Sequence, residues 1–219
     1  MTLTMTQLHD IFVLIACEES QCECMAFRAL GYSAFSCDLQ PCSGGHPEWH
    51  IVGDCTGILD GRCSFTTQDG TQHVVSDRWD LVIGHPPCTY LCKASSAFMF
   101  DTPGSINPER FALAMEAKEL FLRILNCDCE HVAVENPTPL KCVGLPGYSC
   151  VVQPYEFGHR WSKRTCLWLR NLPPLLPMLW ADTYRSYVYS TRGGKKRSKS
   201  FAGIARAMAI QWGSLLRSS

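Results

Sequence analysis

Two polar clusters that follow apolar runs carry residue types from which an active site can be built. The first run, Trp79 to Gly84, opens into Pro86-Pro87-Cys88. The second run, His131 to Val134, ends in Glu135-Asn136-Pro137. Short apolar runs closed by Gly or Pro are typical of strands buried in a parallel sheet, which binds ligands beyond the carboxyl ends of its strands. The sequence therefore predicts a thiol and a carboxylate in one crevice.

Cys88 is suited to act as a nucleophile because two prolines precede it. Each proline fixes φ at about −65° and has no N–H donor, so the loop is stiff and its thiol is held in one direction. A cysteine is also often a small, buried apolar filler, and that alternative stays open for Cys88 taken alone. The second strand end, with its carboxylate, favours the chemical role.

The two clusters resemble the catalytic motifs of DNA cytosine-5 methyltransferases, a Pro-Pro-Cys loop and a Glu-Asn strand end. Four stretches resemble still more closely the short methyltransferase-like proteins common in bacteriophage genomes: Ala16-Cys17-Glu18, Gly84 to Leu91, Val134 to Pro137 and Phe201 to Ala205. The likeness covers nearly the whole chain. It implies a doubly wound, mostly parallel α/β domain of Rossmann-like fold, S-adenosylmethionine as the cofactor, and cytosine in DNA as the substrate.

The resemblance also implies roles for three catalytic residues. The thiolate of Cys88 adds to carbon 6 of a flipped-out cytosine, which makes carbon 5 nucleophilic enough to accept a methyl group. Glu135 holds the ring nitrogen and the exocyclic amine, and Arg164 supports the base. From the residues alone, Glu135 could instead cap the next segment, and the basic turn at Arg164 could be a solvated loop.

A strand, a tight turn and a helix are predicted between Ile11 and Gly31, and the resemblance implies that this turn binds the cofactor. Asp38 ends a second predicted strand, where an acid takes ribose hydroxyls in nucleotide sites, although an ordinary turn residue is an alternative. The family's glycine-rich turn is missing, which leaves backbone contact with the cofactor, and its identity, open. The implied cofactor-binding residues are Ala16, Cys17, Glu18, Ser20, Asp38, Leu39, Asp54, Pro86 and Gly203.

Turn and cap signals predict the remaining elements. Asp69-Gly70 is a strong hairpin turn between two polar-alternating strands, so a small β-hairpin insertion is expected between Arg62 and Val75. Thr89 to Gly104 has the composition of a loop that could close over a substrate. Asn107 and Pro108 are typical of a helix start, and a last helix is expected over Ile204 to Leu216.

The size and composition of the chain limit its class. At 219 residues it is long enough for one α/β domain, and we expect residues 1–219 to form a single catalytic domain. The 14 cysteines are interpreted as reduced thiols of a cytoplasmic protein, because no secretory signal is recognised. Their one-residue spacings at Cys22-Glu-Cys24 and Cys127-Asp-Cys129 disfavour a zinc site. No run reaches the length of a membrane span.

Charge clustering indicates where a polyanion could bind, since 20 basic and 20 acidic side chains balance overall. Residues 172–200 are a short connector that contains the densest basic run, although a solvated loop is an equal alternative. DNA contacts are predicted for Arg160, Lys163, Lys195, Lys196, Arg197 and Lys199.

The connector is much shorter than the large target-recognition region of sequence-specific relatives, so loose sequence specificity is expected. Two other functions stay open. One is modification of free deoxycytidine nucleotides, suggested by the short connector. The other is non-catalytic binding of the cofactor or of nucleic acid, suggested by the altered glycine turn.

Overall fold

The computed structural model describes residues 10–102, 104–191 and 199–217, in which the elements alternate between strands and helices along the chain. The strands of the main sheet are β1 (Phe12–Ala16), β2 (Ser33–Asp38), β3 (His50–Val52), β6 (Leu81–Gly84), β9 (His131–Pro137), β10 (Cys150–Val152) and β12 (Thr165–Arg170). The strands outside it are β4 (Cys63–Thr66), β5 (Gln72–Val75), β7 (Phe100–Thr102), β8 (Ser105–Ile106), β11 (Trp161–Ser162) and β13 (Arg185–Ser186). The α-helices are α1 (Cys22–Arg28), α2 (Pro108–Leu125), α3 (Tyr187–Ser190) and α4 (Ala202–Leu216).

The main sheet has the strand order β10-β12-β9-β6-β1-β2-β3. The five strands from β9 to β3 pair in parallel. Strand β12 is antiparallel to both of its neighbours, so β10 again runs in the direction of β9. The order passes from β1 to β2 on one side and from β1 to β6 on the other, which makes the sheet doubly wound. The predicted α/β fold class is confirmed.

Helices cover both faces of the sheet because the side chains of β1 alternate between two apolar clusters. Val13 and Ile15 pack with residues of α1 and α4. Leu14 and Ala16 point to the opposite face and pack in the cluster that contains residues of α2. A strand that is apolar on both faces is expected at the centre of a parallel sheet, and β1 has this position.

The ends of four central strands lie at one level. Ala16 pairs with Cys37 on one side and with Gly84 on the other, and Gly84 pairs with Val134. The residues that follow these four are therefore brought side by side along the carboxyl edge of the sheet. In the order of the sheet they are Asp38, Cys17, His85 and Glu135.

Local signals in the sequence account for the best-defined elements. The side chain of Asn107 accepts a hydrogen bond from the N–H of Arg110 (2.8 Å) and caps α2, as predicted. The predicted hairpin is confirmed as β4 and β5, joined by a turn in which Gly70 has a φ of 91°. The last helix begins two residues earlier than expected, at Ala202.

Two regions differ from the sequence-based prediction. The segment after Cys88 is not a plain loop, because it contains a short 3₁₀ helix, Lys93–Phe98, and the small hairpin of β7 and β8. The connector likewise contains structure, since β13 pairs with β11 and is followed by α3. Strands of two or three residues are too short to leave a periodic pattern in the sequence. Within the described ranges, no helix is both long enough and apolar enough to cross a bilayer.

Candidate active site

The loop after β6 begins at the centre of the carboxyl edge. The N–H of His85 donates to the carbonyl of Ala16 (2.9 Å), which ties the loop to the end of β1. Gly84 lies against α2, and a Cβ atom at this position would be 2.6 Å from Cγ2 of Ile124. The glycine therefore allows the helix to pack closely over the strand end. Pro86 is buried, which holds the loop that presents Cys88.

His85 connects two acidic side chains across the site. Its Nδ1 is 3.5 Å from Oε2 of Glu135, and its Nε2 is 3.6 Å from Oε1 of Glu23 in α1. Burial by itself would lower the pKa of His85, but the negative charges of Glu23 and Glu135 outweigh it and raise the pKa above the ordinary value. The imidazolium form is thus stabilised between two carboxylates.

Glu135 is held in its ionised form by the same contacts. Burial disfavours the carboxylate, yet the hydrogen bond with His85 and the positive charge of Lys163 lower the pKa of Glu135 below its ordinary value. Lys163 lies in the loop before β12, next to the strand that carries Glu135. An ionised, oriented carboxylate at a strand end is suited to accept hydrogen bonds from a substrate amine.

The Cys88 thiol lies beside Glu135 and next to a second thiol. A side-chain hydrogen bond with Cys92, burial and the negative charge of Glu135 raise the pKa of Cys88, while Lys163 acts in the opposite direction. Cys92 lies one turn further on, and its N–H donates to the carbonyl of Cys88 (3.2 Å). These surroundings favour the neutral thiol of Cys88 over the thiolate.

A cleft of about 320 Å³, including the space at its mouth, opens between His85, Glu135 and Lys163 on one side and the start of α4 on the other. Cys88 does not line it. Oε2 of Glu23 and Nε2 of His85 are buried there, and neither makes a hydrogen bond to any of the described residues. Such atoms favour a polar ligand in the cleft, because an unpaired buried polar group is costly. The lining residues are Glu23, His85, Glu135, Lys163, Thr165, Ser200, Phe201, Ile204 and Met208.

The predicted cofactor turn has a glycine-like backbone although it contains no glycine. Cys17 has a φ of 62° and Gln21 a φ of 59°, both in the left-handed region that glycine favours. The carboxylate of Glu18 accepts the N–H groups of Glu23 (2.7 Å) and Cys24 (3.3 Å), so it caps α1 from outside the helix. Burial and the charge of Glu23 raise the pKa of Glu18 well above its ordinary value.

The remaining predicted cofactor residues lie along the same edge. Asp38, half-buried at the end of β2, accepts the N–H of Gln40 (2.9 Å), and the neighbouring Leu39 is exposed. Asp54 is exposed and accepts the N–H of Thr56 (2.9 Å). Ala16 is fully buried at the end of β1, and Ser20 is half-buried beyond it in the turn.

Gly203 lies in the first turn of α4, where only a glycine fits. Its N–H donates to Nε2 of His159 (2.9 Å), and a Cβ atom would be 2.0 Å from the carbonyl oxygen of Phe157. The residue therefore brings the helix start close to the loop that precedes β11. Its neighbour Phe201 lines the cleft.

The predicted basic residues are distributed over different places. Lys163 lines the cleft, whereas Arg164 is exposed and donates to the hydroxyl of Tyr148 (3.0 Å). Successive side chains of an extended segment point to opposite sides, which explains why only one of the two faces Glu135. Arg160 is exposed near β11. Lys199 donates to Oγ of Ser43 (2.9 Å), near the cofactor turn. The predicted contacts at Lys195, Lys196 and Arg197 lie outside the described residues.

Three residues of the site were not identified from the sequence. His85 falls within the Gly84 to Leu91 stretch but was given no role, Glu23 gave no motif signal, and Cys92 was not distinguished among the 14 cysteines. The position of His85 directly before the Pro-Pro-Cys loop could have indicated it once β6 and β9 were paired in parallel. Glu23 could have been found only from the packing of α1 against the strand ends.

All 14 cysteines are free thiols in the structure. Within the described ranges, no three side chains of the His, Cys, Asp or Glu type come together in an arrangement that could hold a metal ion.

Comparison with protein-family models and with curated proteins finds no match. Among solved structures, the chain is similar to a prophage-encoded protein of E. coli that is proposed to be a DNA modification methyltransferase. The two share 11% sequence identity, with a TM-score of 0.40 over 78% of this chain. The matched region covers 52% of that protein, so this chain spans about half of its length.

Proposed function

We propose that the protein transfers a methyl group from S-adenosylmethionine to carbon 5 of cytosine in DNA. The observation that carries the proposal is the position of Cys88 and Glu135, which follow the ends of the neighbouring parallel strands β6 and β9. The negative charge of Glu135 acts on the Cys88 thiol. Addition to carbon 6 of a pyrimidine requires a nucleophile and an oriented carboxylate at the same ring. The resemblance of the Pro-Pro-Cys and Glu-Asn motifs to those of cytosine-5 methyltransferases supports the same chemistry.

The chain's own residues would carry the substrate steps. The Cys88 thiol loses its proton, and its sulfur forms a bond to carbon 6, while Glu135 binds the exocyclic amine and stabilises a proton on the ring nitrogen. The methyl group would come from the sulfonium of S-adenosylmethionine, whose methyl–sulfur bond would break as carbon 5 forms its new bond, leaving a neutral thioether. Loss of the carbon 5 proton to solvent and release of the Cys88 thiolate would then restore the aromatic ring. Lys163 favours the first step, because its positive charge lowers the pKa of Cys88.

The residues at the carboxyl edge fit the proposed cofactor. Bound S-adenosylmethionine supplies an electrophilic methyl group on a sulfonium. Asp38 offers a carboxylate for ribose hydroxyls, and the exposed Leu39 beside it offers an apolar surface for the adenine. The left-handed residue Cys17 gives the turn at the end of β1 the backbone conformation that glycine favours. The unpaired Oε2 of Glu23 would accept a hydrogen bond from the positively charged amino group of the cofactor. Adjacent strands are about 4.8 Å apart, so three strand steps separate Asp38 from Glu135 by roughly 14 Å, the scale of a nucleoside cofactor.

The test is transfer of labelled methyl groups to mixed-sequence DNA, followed by nucleoside analysis. We expect 5-methylcytosine from the wild-type protein and none from Cys88→Ala, with Cys142→Ala as the matched control for loss of a half-buried thiol elsewhere. Label on another base, or label on cytosine that persists in Cys88→Ala, would contradict the proposal. Binding of the cofactor in calorimetry without any transfer would instead indicate a non-catalytic relative.

A second candidate is the same reaction on free deoxycytidine nucleotides. It is favoured by the short path between β12 and α4, which leaves room for only β13 and α3 among the described residues. Offering deoxycytidine monophosphate and DNA at equal cytosine concentration distinguishes the two. Preferential labelling of the mononucleotide would identify free deoxycytidine nucleotides, and not DNA, as the substrate.

A further inference from the structure

Two segments, residues 154–162 and 178–187, lie side by side outside the main sheet and form what we call the aromatic lobe. Strands β11 and β13 pair within it. Further backbone hydrogen bonds join the N–H of Ala181 to the carbonyl of Tyr155 (2.8 Å), and the N–H of Arg185 to the carbonyl of Arg160 (3.1 Å). The lobe is therefore a defined structure and not a loose connector.

The lobe exposes a stack of aromatic rings to solvent. The rings of Tyr155 and Tyr184 are parallel within 14°, with centroids 4.1 Å apart, and Trp180 lies 5.9 Å from Tyr155. Trp180 is 62% exposed and Tyr184 is 53% exposed. Large exposed apolar groups indicate a binding surface, and a parallel ring stack is a surface that a further planar ring can extend.

The lobe carries two exposed arginines as well as its rings. Arg160 and Arg185 are joined through their backbones. The two segments also contain two acids, Glu156 and Asp182. Glu156 accepts the N–H of Gln153 (2.7 Å) and so caps its own turn. Exposed rings together with guanidinium groups are a combination that binds single-stranded nucleic acid.

A chain of ring contacts leads from the lobe to the cleft. The ring of Trp161 in β11 lies 5.4 Å from that of Tyr187, and Tyr187 lies 4.9 Å from Phe201. Phe201 lines the cleft together with Glu135, and Nζ of Lys163 is 5.9 Å from the Phe201 ring. The lobe is therefore in contact with the wall of the cleft through Tyr187 and Phe201.

We propose that the aromatic lobe binds unpaired nucleotides of single-stranded DNA by stacking, on the strand whose cytosine enters the cleft. This inference rests on the proposed function, because it names the form of DNA that the site acts on. In a duplex the faces of the bases are covered by their neighbours, so only unpaired bases can stack on Tyr184 and Trp180. The lobe therefore binds the DNA strand without recognising its sequence, a role that a separate DNA-binding domain has in other proteins.

The test is a titration of the wild-type protein, without cofactor, against a fluorescently labelled 20-nucleotide strand and against its duplex, followed by anisotropy. We expect the strand to bind at least tenfold more tightly than the duplex. Trp180→Leu and Tyr184→Leu keep an apolar side chain but remove the ring, and each should weaken strand binding about tenfold. Trp180→Phe should retain most of the affinity. Leu176→Ala, at an exposed apolar position of the same connector, is the matched control and should bind as the wild type does.

Four results would overturn the inference. They are unchanged strand binding in Trp180→Leu, equal affinity for duplex and strand, binding at least tenfold tighter to RNA of the same sequence, and self-association that Trp180→Leu abolishes while strand binding persists. The last result would identify the lobe as an interface between two copies of the chain.

The inference and the proposed function fail separately. Strand binding that depends on the rings, without methyl transfer to any DNA, rejects the proposed function alone. Methylation of duplex and single-stranded DNA at equal rates, unaffected by Trp180→Leu, rejects the role of the lobe alone.

Discussion

His85 links the acidic groups of the site because it lies between carboxylates from two different elements. Glu23 approaches it from α1 and Glu135 from β9, and Lys163 opposes their effect from the loop before β12. The contact with His85 lowers the pKa of Glu135 and orients its carboxylate. In the proposed reaction, this carboxylate would be ionised and oriented before a base binds, which is how a preorganised charge contributes to catalysis.

The charge of Glu135 should control the reactivity of Cys88. Glu135→Gln removes a negative charge that raises the pKa of Cys88, so the thiolate fraction should increase. We expect alkylation of Cys88 by iodoacetamide to become several-fold faster, measured by peptide mass spectrometry, while methyl transfer falls by about 100-fold or more. Glu130→Gln, at an exposed acid before β9, is the control and should change neither rate. Slower alkylation in Glu135→Gln would show that the two groups are not coupled.

The His85 contacts should give stability a defined pH dependence. The raised pKa of His85 stabilises the fold fully below its ordinary value of 6.5, and this contribution is lost as the pH rises through the raised pKa. The lowered pKa of Glu135 stabilises the fold above its ordinary value of 4.5, and this contribution is lost as the pH falls through the lowered pKa. Both contributions are complete between pH 4.5 and 6.5.

His85→Gln should therefore lower the free energy of unfolding most within this window, by about 3 kcal/mol, because two buried carboxylates lose their partner. The difference from the wild type should shrink as the pH rises above it. Urea unfolding followed by circular dichroism at a series of pH values measures this. His73→Gln, in the peripheral hairpin, is a matched control. A difference that grows steadily towards alkaline pH would contradict the assigned ion pairs.

Sequence motifs identified Cys88 and Glu135, because the residue type and the strand end are both visible in the chain. They could not identify Glu23, which depends on how α1 packs over the strand ends. They also could not tell that Lys163, rather than Arg164, faces Glu135. That choice depends on which side of an extended segment faces the sheet, and a difference of one residue reverses it.

The sheet positions the site through its register, and one glycine sets how closely a helix covers it. Apolar runs located β1, β6 and β9 from the sequence, since each strand is largely buried. The direction of β12 was not predictable in the same way, because an apolar run looks identical in a parallel and an antiparallel strand. The contact between Gly84 and Ile124 is likewise a tertiary feature.

Gly84→Ala should separate β6 from α2. The new Cβ would be 2.6 Å from Cγ2 of Ile124, so we expect the free energy of unfolding to fall by about 1–3 kcal/mol in urea unfolding. In an Ile124→Ala background the same change should cost much less, because the overlapping atom is gone. Gly53→Ala, which meets no atom within 4 Å, is the control. Equal costs in both backgrounds would exclude the overlap as the cause.

The whole molecule carries an uneven charge distribution behind a formal net charge of zero. Ten of its 20 basic and two of its 20 acidic side chains fall within residues 154–199. The remainder of the chain is correspondingly acidic. A segment with such an excess of basic side chains favours contact with a polyanion, although the overall composition gives no sign of it.

The basic run at the end of the connector should supply part of the affinity for DNA. Each phosphate contact adds to the slope of log affinity against log salt concentration, by about 0.7 units for a single strand. Replacing Lys195, Lys196 and Arg197 with alanine should flatten that slope by about two units, while calorimetry with the cofactor stays unchanged. Arg62→Ala with Arg78→Ala, at exposed positions that pair with Asp128, is the control and should preserve the slope. If the wild-type and triple-variant slopes coincide, the basic run does not contact phosphates and is only a solvated loop. That result would favour free deoxycytidine nucleotides over DNA as the substrate.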